Sequence, residues 1–315
     1  MVAACLDRRN HVINLSAAYD RLPPNARGAL WMLASSITFT VMTMLIKFLG
    51  DDYPATLQTF YRQVFGVLVM VPIILRNPRR TFHTTRVGIL LFRSLAGTVA
   101  MILSFYAYQK MPLADANALS FTRTLWLVPL AAFVLKEPVG PRRIAATLVG
   151  FVGALLMLQP AAQGELGVPA AAALASSLLF ALTVTGMKVM TRDHTVTTLM
   201  AWSAVLGFVI AIPPALFVWR WPTAFDLALL ASMGILGTVT QACYIKGMTE
   251  GDAAAMAPVD YTRLVFAIIL GYLWFADIPN ALTMTGAGIV IASTLYITIR
   301  ESRLGVPKIT PQRAD

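Results

Sequence analysis

Residues 258–275 read PVDYTRLVFAIILGYLWF. The run is apolar and close to the length that crosses a bilayer as a helix, which takes about 20 residues. It nevertheless opens on a proline and carries Asp260 and Arg263 within one helical turn of each other. A charge at the centre of a membrane helix costs about 2.5–3.5 kcal/mol on insertion scales. Both side chains are therefore expected to face protein or a wet cavity rather than lipid.

The rest of the chain has the same character. It contains 315 residues, 57% hydrophobic and 13% charged, with a mean hydropathy of +0.69. A soluble domain carries about 25% charged residues, so this is membrane-class composition. Ten apolar stretches are visible, at 28–49, 55–75, 87–108, 112–135, 142–159, 168–189, 196–218, 225–247, 252–275 and 281–299. Short linkers with turn signals separate them, among them GDDYP, KEPVGPRR and ADIPN. Barrel strands alternate over about ten residues, whereas these runs are continuous, which leaves helices as the spanning structure. The expected fold is an all-α integral membrane protein with ten transmembrane helices.

The net charge of +10 follows the topology. With the N-terminus inside, cytoplasmic segments hold 18 of the 25 Lys and Arg, and external segments hold three, Lys47, Lys110 and Arg220. This asymmetry predicts both termini in the cytoplasm and a multi-pass protein of the cytoplasmic membrane. The basic balance thus gives no argument for a nucleic-acid partner. Residues 1–27 have no signal-peptide h-region and read as a cytoplasmic segment, and 300–315 as a cytoplasmic tail. Cys5 and Cys243 are the two cysteines, a pair unsuited to a disulfide or metal site. The three histidines fall in predicted cytoplasmic segments, without metal-binding spacing, and no Walker loop is present. No catalytic residue, metal or cofactor is expected, and an enzyme is disfavoured.

The two halves repeat. LASSITF at 33–39 returns as LASSLLF at 174–180, and at the same shift Lys47 meets Lys188, Gly66 meets Gly207 and Pro72 meets Pro213. GTV at 97–99 returns at 237–239, Thr122-Arg123 at Thr262-Arg263, and Glu137 meets Asp277. With five helices in each copy, 28–159 and 168–299, the second must enter the membrane from the opposite side. Inverted repeats of this kind are the architecture of secondary transporters, with the substrate site near the midplane between them.

YAYQKMPLADANAL leading into the fourth span, LKEPVGPRR after it, and PVDYTRLVFAIILGYLWFADIPN followed by GAGIVIAS in the second half resemble the EamA-type branch of the drug/metabolite transporter superfamily. The resemblance covers about 28–300, nearly the whole chain. It implies secondary transport of small metabolites, in families that include exporters of amino acids and related compounds and importers of vitamins, nucleosides or S-adenosylmethionine.

Four arginines and one aspartate lie inside the apolar spans. Arg62 and Arg93 sit about two turns from a span end and have stems long enough to snorkel, so anchoring or packing accounts for them. Arg123 and Arg263 fall near mid-span at equivalent repeat positions, where snorkelling is least effective. Asp260 is on the same face as Arg263 and within pairing distance. A structural ion-pair network is one reading. Two central guanidiniums against one carboxylate leave a charge for a substrate carboxylate or phosphate, and arginine's planar fork suits either. Asp260 is also the candidate proton-coupling residue.

Asn117 and Ser120 share a face with Arg123 in the fourth span, and Thr238, Gln241 and Tyr244 share one in the eighth. Trp126 and Phe266, three residues beyond the arginines, are candidates for an aromatic wall. The expected substrate-binding set is Arg123, Arg263, Asn117, Gln241, Tyr244 and Trp126. The expected function is a proton-coupled carrier of a small polar or anionic metabolite, an amino acid or related compound, working by alternating access as a monomer or homodimer among membrane lipids. The alternative is an importer of a heteroaromatic metabolite such as riboflavin, a nucleoside or S-adenosylmethionine.

Overall fold

The computed structural model describes residues 19, 22–50, 52–76, 82, 84, 86–134, 136, 139–158, 167–190, 196–251 and 253–303. Among them there is no strand. The helices are α1 Pro24–Phe48, α2 Ala55–Arg76, α3 Val87–Lys110, α4 Leu113–Ser120, α5 Thr122–Phe133, α6 Pro141–Leu158, α7 Gly167–Met190, α8 Val196–Leu216, α9 Ala224–Glu250, α10 Ala253–Asp260, α11 Thr262–Phe275 and α12 Ala281–Arg303. Eight segments are long and apolar enough to cross a membrane. The expected fourth and fifth spans are not among them.

The segment expected as the fourth span is divided, since α4 has 8 residues and α5 has 12. The expected continuous helices at the fourth and ninth spans are both interrupted, at Phe121 and at Tyr261, which occupy the same repeat position. At each break the backbone tightens to an i−3 pattern, Thr124 N–H to Phe121 O and Leu264 N–H to Tyr261 O. The next side chain turns back on the chain as well: Thr122 Oγ1 donates to Leu119 O and Thr262 Oγ1 to Val259 O, each at 2.6 Å. Hydroxyls of this kind compete with the regular helical ladder. The rings of Phe121 and Tyr261 meet with centroids 4.5 Å apart, so the two discontinuities face one another.

Helix pairing follows the repeat. α1 packs on α9 as α3 packs on α7, α5 on α7 as α11 on α1, and α6 pairs with α12 and α2 with α8. Exchanging the two halves maps this set onto itself. Two groups of contacts mark the ends of the bundle. At one end Lys47 meets Asp277, and Tyr53 donates to Asp226 at 2.9 Å. At the other, Tyr19 donates to Glu250 at 2.6 Å and Trp31 Nε1 to the Tyr19 hydroxyl at 2.7 Å.

The polar stripe of α1 is used in packing. Thr40 and Thr43 are fully buried and bond the preceding turn, at Ser36 O and Thr40 O, the bland role such hydroxyls often fill between membrane helices. Apolar side chains left outward, such as Leu148, Val152 and Leu155 on α6 and Val265, Ile269 and Tyr272 on α11, form the surface a bilayer solvates. Trp219 and Trp221, 5.3 Å apart near the Lys47 end, match the aromatic belt of a membrane interface.

Candidate functional site

A cavity of about 310 Å³ lies between α2, α3, α5, α7, α8 and α9. Its α8 residues, Met200, Ser203 and Ala204, come from the first turns of that helix, and Arg93 and Ser94 from the first turns of α3. The cavity therefore occupies the half of the bundle nearer the Tyr19 end. The Lys47 end is packed: Ile46, Leu49, Leu113 and Tyr108 are all buried there.

The lining is built from both halves in equivalent positions. Gly97 and Thr98 on α3 are matched by Gly237 and Thr238 on α9, Met101 by Gln241, Arg62 by Ser203 and Gln63 by Ala204. The glycines make room: a Cβ on Gly237 would lie 3.0 Å from Arg62 Nε, and one on Gly207 2.1 Å from Gln63 Nε2. Arg62 Nη1 donates to Gln63 Oε1 at 3.3 Å, and Arg93 donates to the Ser203 hydroxyl, which itself donates to Leu199 O. Arg123 makes no hydrogen bond or ion pair among the described residues. No Asp or Glu occurs among the described lining residues.

The residues expected from the sequence are thus divided. Arg123 and Gln241 line the cavity. Arg263 does not; it is 9% exposed, lies over the Phe121 ring at 4.1 Å and the Phe39 ring at 5.2 Å, and donates from Nη2 to Ser120 Oγ at 3.1 Å. Cation–π contact and one hydroxyl replace the carboxylate that spacing had suggested. Asp260 and Arg263 make no ion pair; the Arg263 guanidinium is turned to the Phe121 and Phe39 rings and the Ser120 hydroxyl instead. Asp260, Arg123 and Arg263 all remain within electrostatic reach of Tyr244 and Tyr261, which gathers them around the helix breaks.

Asn117 is fully buried and donates to Leu113 O at 2.8 Å within its own helix. Its Oδ1 has no hydrogen-bond partner among the described residues. Trp126 stacks edge-on against Phe151 at 4.5 Å and donates to Ser177 Oγ at 3.1 Å, so its ring is engaged in packing. The aromatic residue on the cavity wall is Phe180.

Arg62, Gln63, Arg93 and Thr98 were not expected at a site. Distance from the span end had marked both arginines as anchors, whereas α2 and α3 turn them inward. One available signal was the repeat, since Arg62 precedes Gly66 by one turn just as Ser203 precedes Gly207.

The sequence profile of the EamA-like transporter family matches residues 26–159 and, separately, residues 168–299. The chain is 30% identical over 290 residues to the S-adenosylmethionine uptake transporter of Rickettsia bellii, covering 92% of this chain and 99% of that protein. It is 29% identical over 291 residues to the riboflavin transporter of Rhizobium johnstonii, covering 88% and 92%. It is 25% identical over 273 residues to the pseudopaline exporter of Pseudomonas aeruginosa, covering 86% and 95%. A crystal structure with 16% sequence identity superposes with a TM-score of 0.60 over 89% of this chain and 99% of that one, a likeness of fold.

Proposed function

We propose that this chain, which belongs to the EamA-like transporter family and is a multi-pass protein of the cytoplasmic membrane, is a secondary carrier that takes a small polar or anionic metabolite through the arginine-lined cavity. The observation that carries the reading is the lining itself. Charged, amide and hydroxyl side chains from both halves converge on one space inside an apolar bundle, and polar groups at such depth mark solute pathways.

In this reading the chain crosses the membrane ten times as two inverted five-helix repeats, with α4–α5 and α10–α11 serving as the broken fourth and ninth spans and both termini in the cytoplasm. The Tyr19 end is then cytoplasmic, and the cavity belongs to an inward-facing state. The Lys47–Asp277 pair closes the external end, and alternating access exchanges which end is packed. Asp260, half-buried and in no ion pair among the described residues, is the residue to which we assign proton coupling. Arg263 supports the break opposite Arg123 and meets the solute as the breaks move.

Counterflow in proteoliposomes tests this. Vesicles loaded with one candidate solute should take up the same labelled solute without an imposed gradient, and Arg123→Gln should abolish the exchange while leaving a folded protein. Exchange unaffected by Arg123→Gln would move the site elsewhere. A pH gradient should drive accumulation by the wild type and not by Asp260→Asn.

The second reading, import of a heteroaromatic metabolite, is favoured by the functions for which two relatives are named, S-adenosylmethionine uptake and riboflavin transport. In it Phe180 supplies the stacking surface and the amides of Gln63 and Gln241 read the ring edges.

A further inference from the structure

Arg62, Arg93 and Arg123 line one cavity, and no carboxylate is among its described lining residues. Arg62 has a neutral partner, the Gln63 amide. Arg123 has none. Both side chains are half-buried, and arginine stays charged in proteins, so neither guanidinium can become neutral by losing a proton. A half-buried charge with no carboxylate on the wall beside it is under-compensated, and an anionic group on the solute is the partner the cavity is suited to receive.

We infer that the solute of this cavity carries two negative charges, as a dicarboxylate or a phosphate monoester does, with one anionic group for Arg62 and one for Arg123. This rests on the reading of the cavity as the solute site and narrows its substrate class. With Arg93 held on the Ser203 hydroxyl, a monoanion supplies an anionic group to only one of Arg62 and Arg123. A zwitterionic amino acid brings an ammonium group into a positive field, and S-adenosylmethionine, with a sulfonium, an ammonium and one carboxylate, enters as a net cation. Riboflavin enters uncharged. Gln63, Gln241 and Thr98 offer amide and hydroxyl groups for the polar remainder of a dianion, and both anionic classes suit arginine's planar donor fork. The dianionic class sets this cavity apart from the solutes named for two of the relatives.

The test is thermal unfolding of the purified full-length protein in detergent at constant ionic strength. The probes are succinate, glycerol phosphate, acetate, alanine, S-adenosylmethionine and riboflavin. Saturable stabilisation by succinate or glycerol phosphate is expected, at least tenfold weaker in Arg62→Gln and in Arg123→Gln. Thr238→Asp, which places a carboxylate in the cavity and keeps every arginine, should weaken the dianion by at least tenfold even if the arginine variants fail to fold. Stabilisation by alanine, S-adenosylmethionine or riboflavin without any dianion overturns the inference and leaves the carrier reading intact. Dianion binding without counterflow of that dianion keeps the ligand class and removes the carrier. Stabilisation by none of the probes, or by a dianion equally in wild type and Thr238→Asp, overturns the inference.

Discussion

Lys47 Nζ lies 2.5 Å from Asp277 Oδ2, joining the last turn of α1 to the turn that follows α11. The same carboxylate oxygen accepts the Leu113 N–H at 3.2 Å, and the lysine also reaches Met111 O at 3.4 Å and the face of Phe275 at 4.8 Å. One ion pair thus ties α1, the entry to α4 and the end of α11. Removing one partner of such a pair leaves the other poorly compensated, at about 3 kcal/mol. Lys47→Met is therefore expected to lower thermal stability by about that amount, and the exchanged pair Lys47→Asp with Asp277→Lys to recover part of it. Equal stability of wild type and Lys47→Met would remove the pair from the account of end closure.

The α6–α12 contact predicts a sharp difference between two nearby glycines. A Cβ on Gly286 would fall 2.5 Å from the backbone oxygen of Gly153, while one on Gly288 meets nothing within 4 Å. Gly286→Ala should cost about 1–3 kcal/mol, the range for overpacking. Gly288→Ala should be neutral or slightly stabilising, since alanine favours helix. Thermal unfolding of the two variants side by side is the check.

Ala276 holds φ 53°, a left-handed position at the end of α11, where Ala276 N–H bonds Tyr272 O and Asp277 N–H bonds Gly271 O. This is the turn that presents Asp277 to Lys47. Left-handed backbone costs a residue with a Cβ about 1–2 kcal/mol, and glycine gives part of that back in chain entropy. Ala276→Gly should raise stability by about 0.5–1 kcal/mol in the same assay.

Gly237 separates function from stability. An alanine there would place its Cβ 3.0 Å from Arg62 Nε and 3.2 Å from Nη2, whereas the equivalent Gly97 has Thr183 Cγ2 at 3.5 Å. Gly237→Ala is expected to displace the Arg62 guanidinium and weaken solute binding severalfold, with a smaller change in unfolding temperature. Gly97→Ala should retain most binding. Titrating both variants with the solute that stabilises the wild type checks the contrast.

Eight of the ten expected spans were legible because a bilayer demands long apolar runs, and the run at 258–275 with its two charges raised the expectation of an interior polar site. The breaks were not legible in the same way. Phe121 and Tyr261 are neither proline nor glycine, and Pro258 lies a turn before the second break, so the local signal was slight. The expected Asp260–Arg263 pairing does not form, because Arg263 is taken up by the Phe121 and Phe39 rings and Ser120. Periodicity placed Gln241 and Arg123 on inward faces, where the structure puts them at the cavity. It could not rank Arg62 and Arg93, whose depth along their spans fits snorkelling as well as a cavity wall. The partner of Lys47 lay 230 residues away, a distance over which the sequence offers only repeat equivalence.

The measurement that tests the account most directly is two-sided labelling of Thr238→Cys in a background where Cys5 and Cys243 are serine. The reagent is a membrane-impermeant maleimide, applied to right-side-out and to inside-out vesicles. Thr238 lies midway along α9 and lines the cavity. Reaction from the cytoplasmic face, slowed by the transported solute, is the expected result. Failure to react from that face in a folded protein, or reaction confined to the external face, would contradict it.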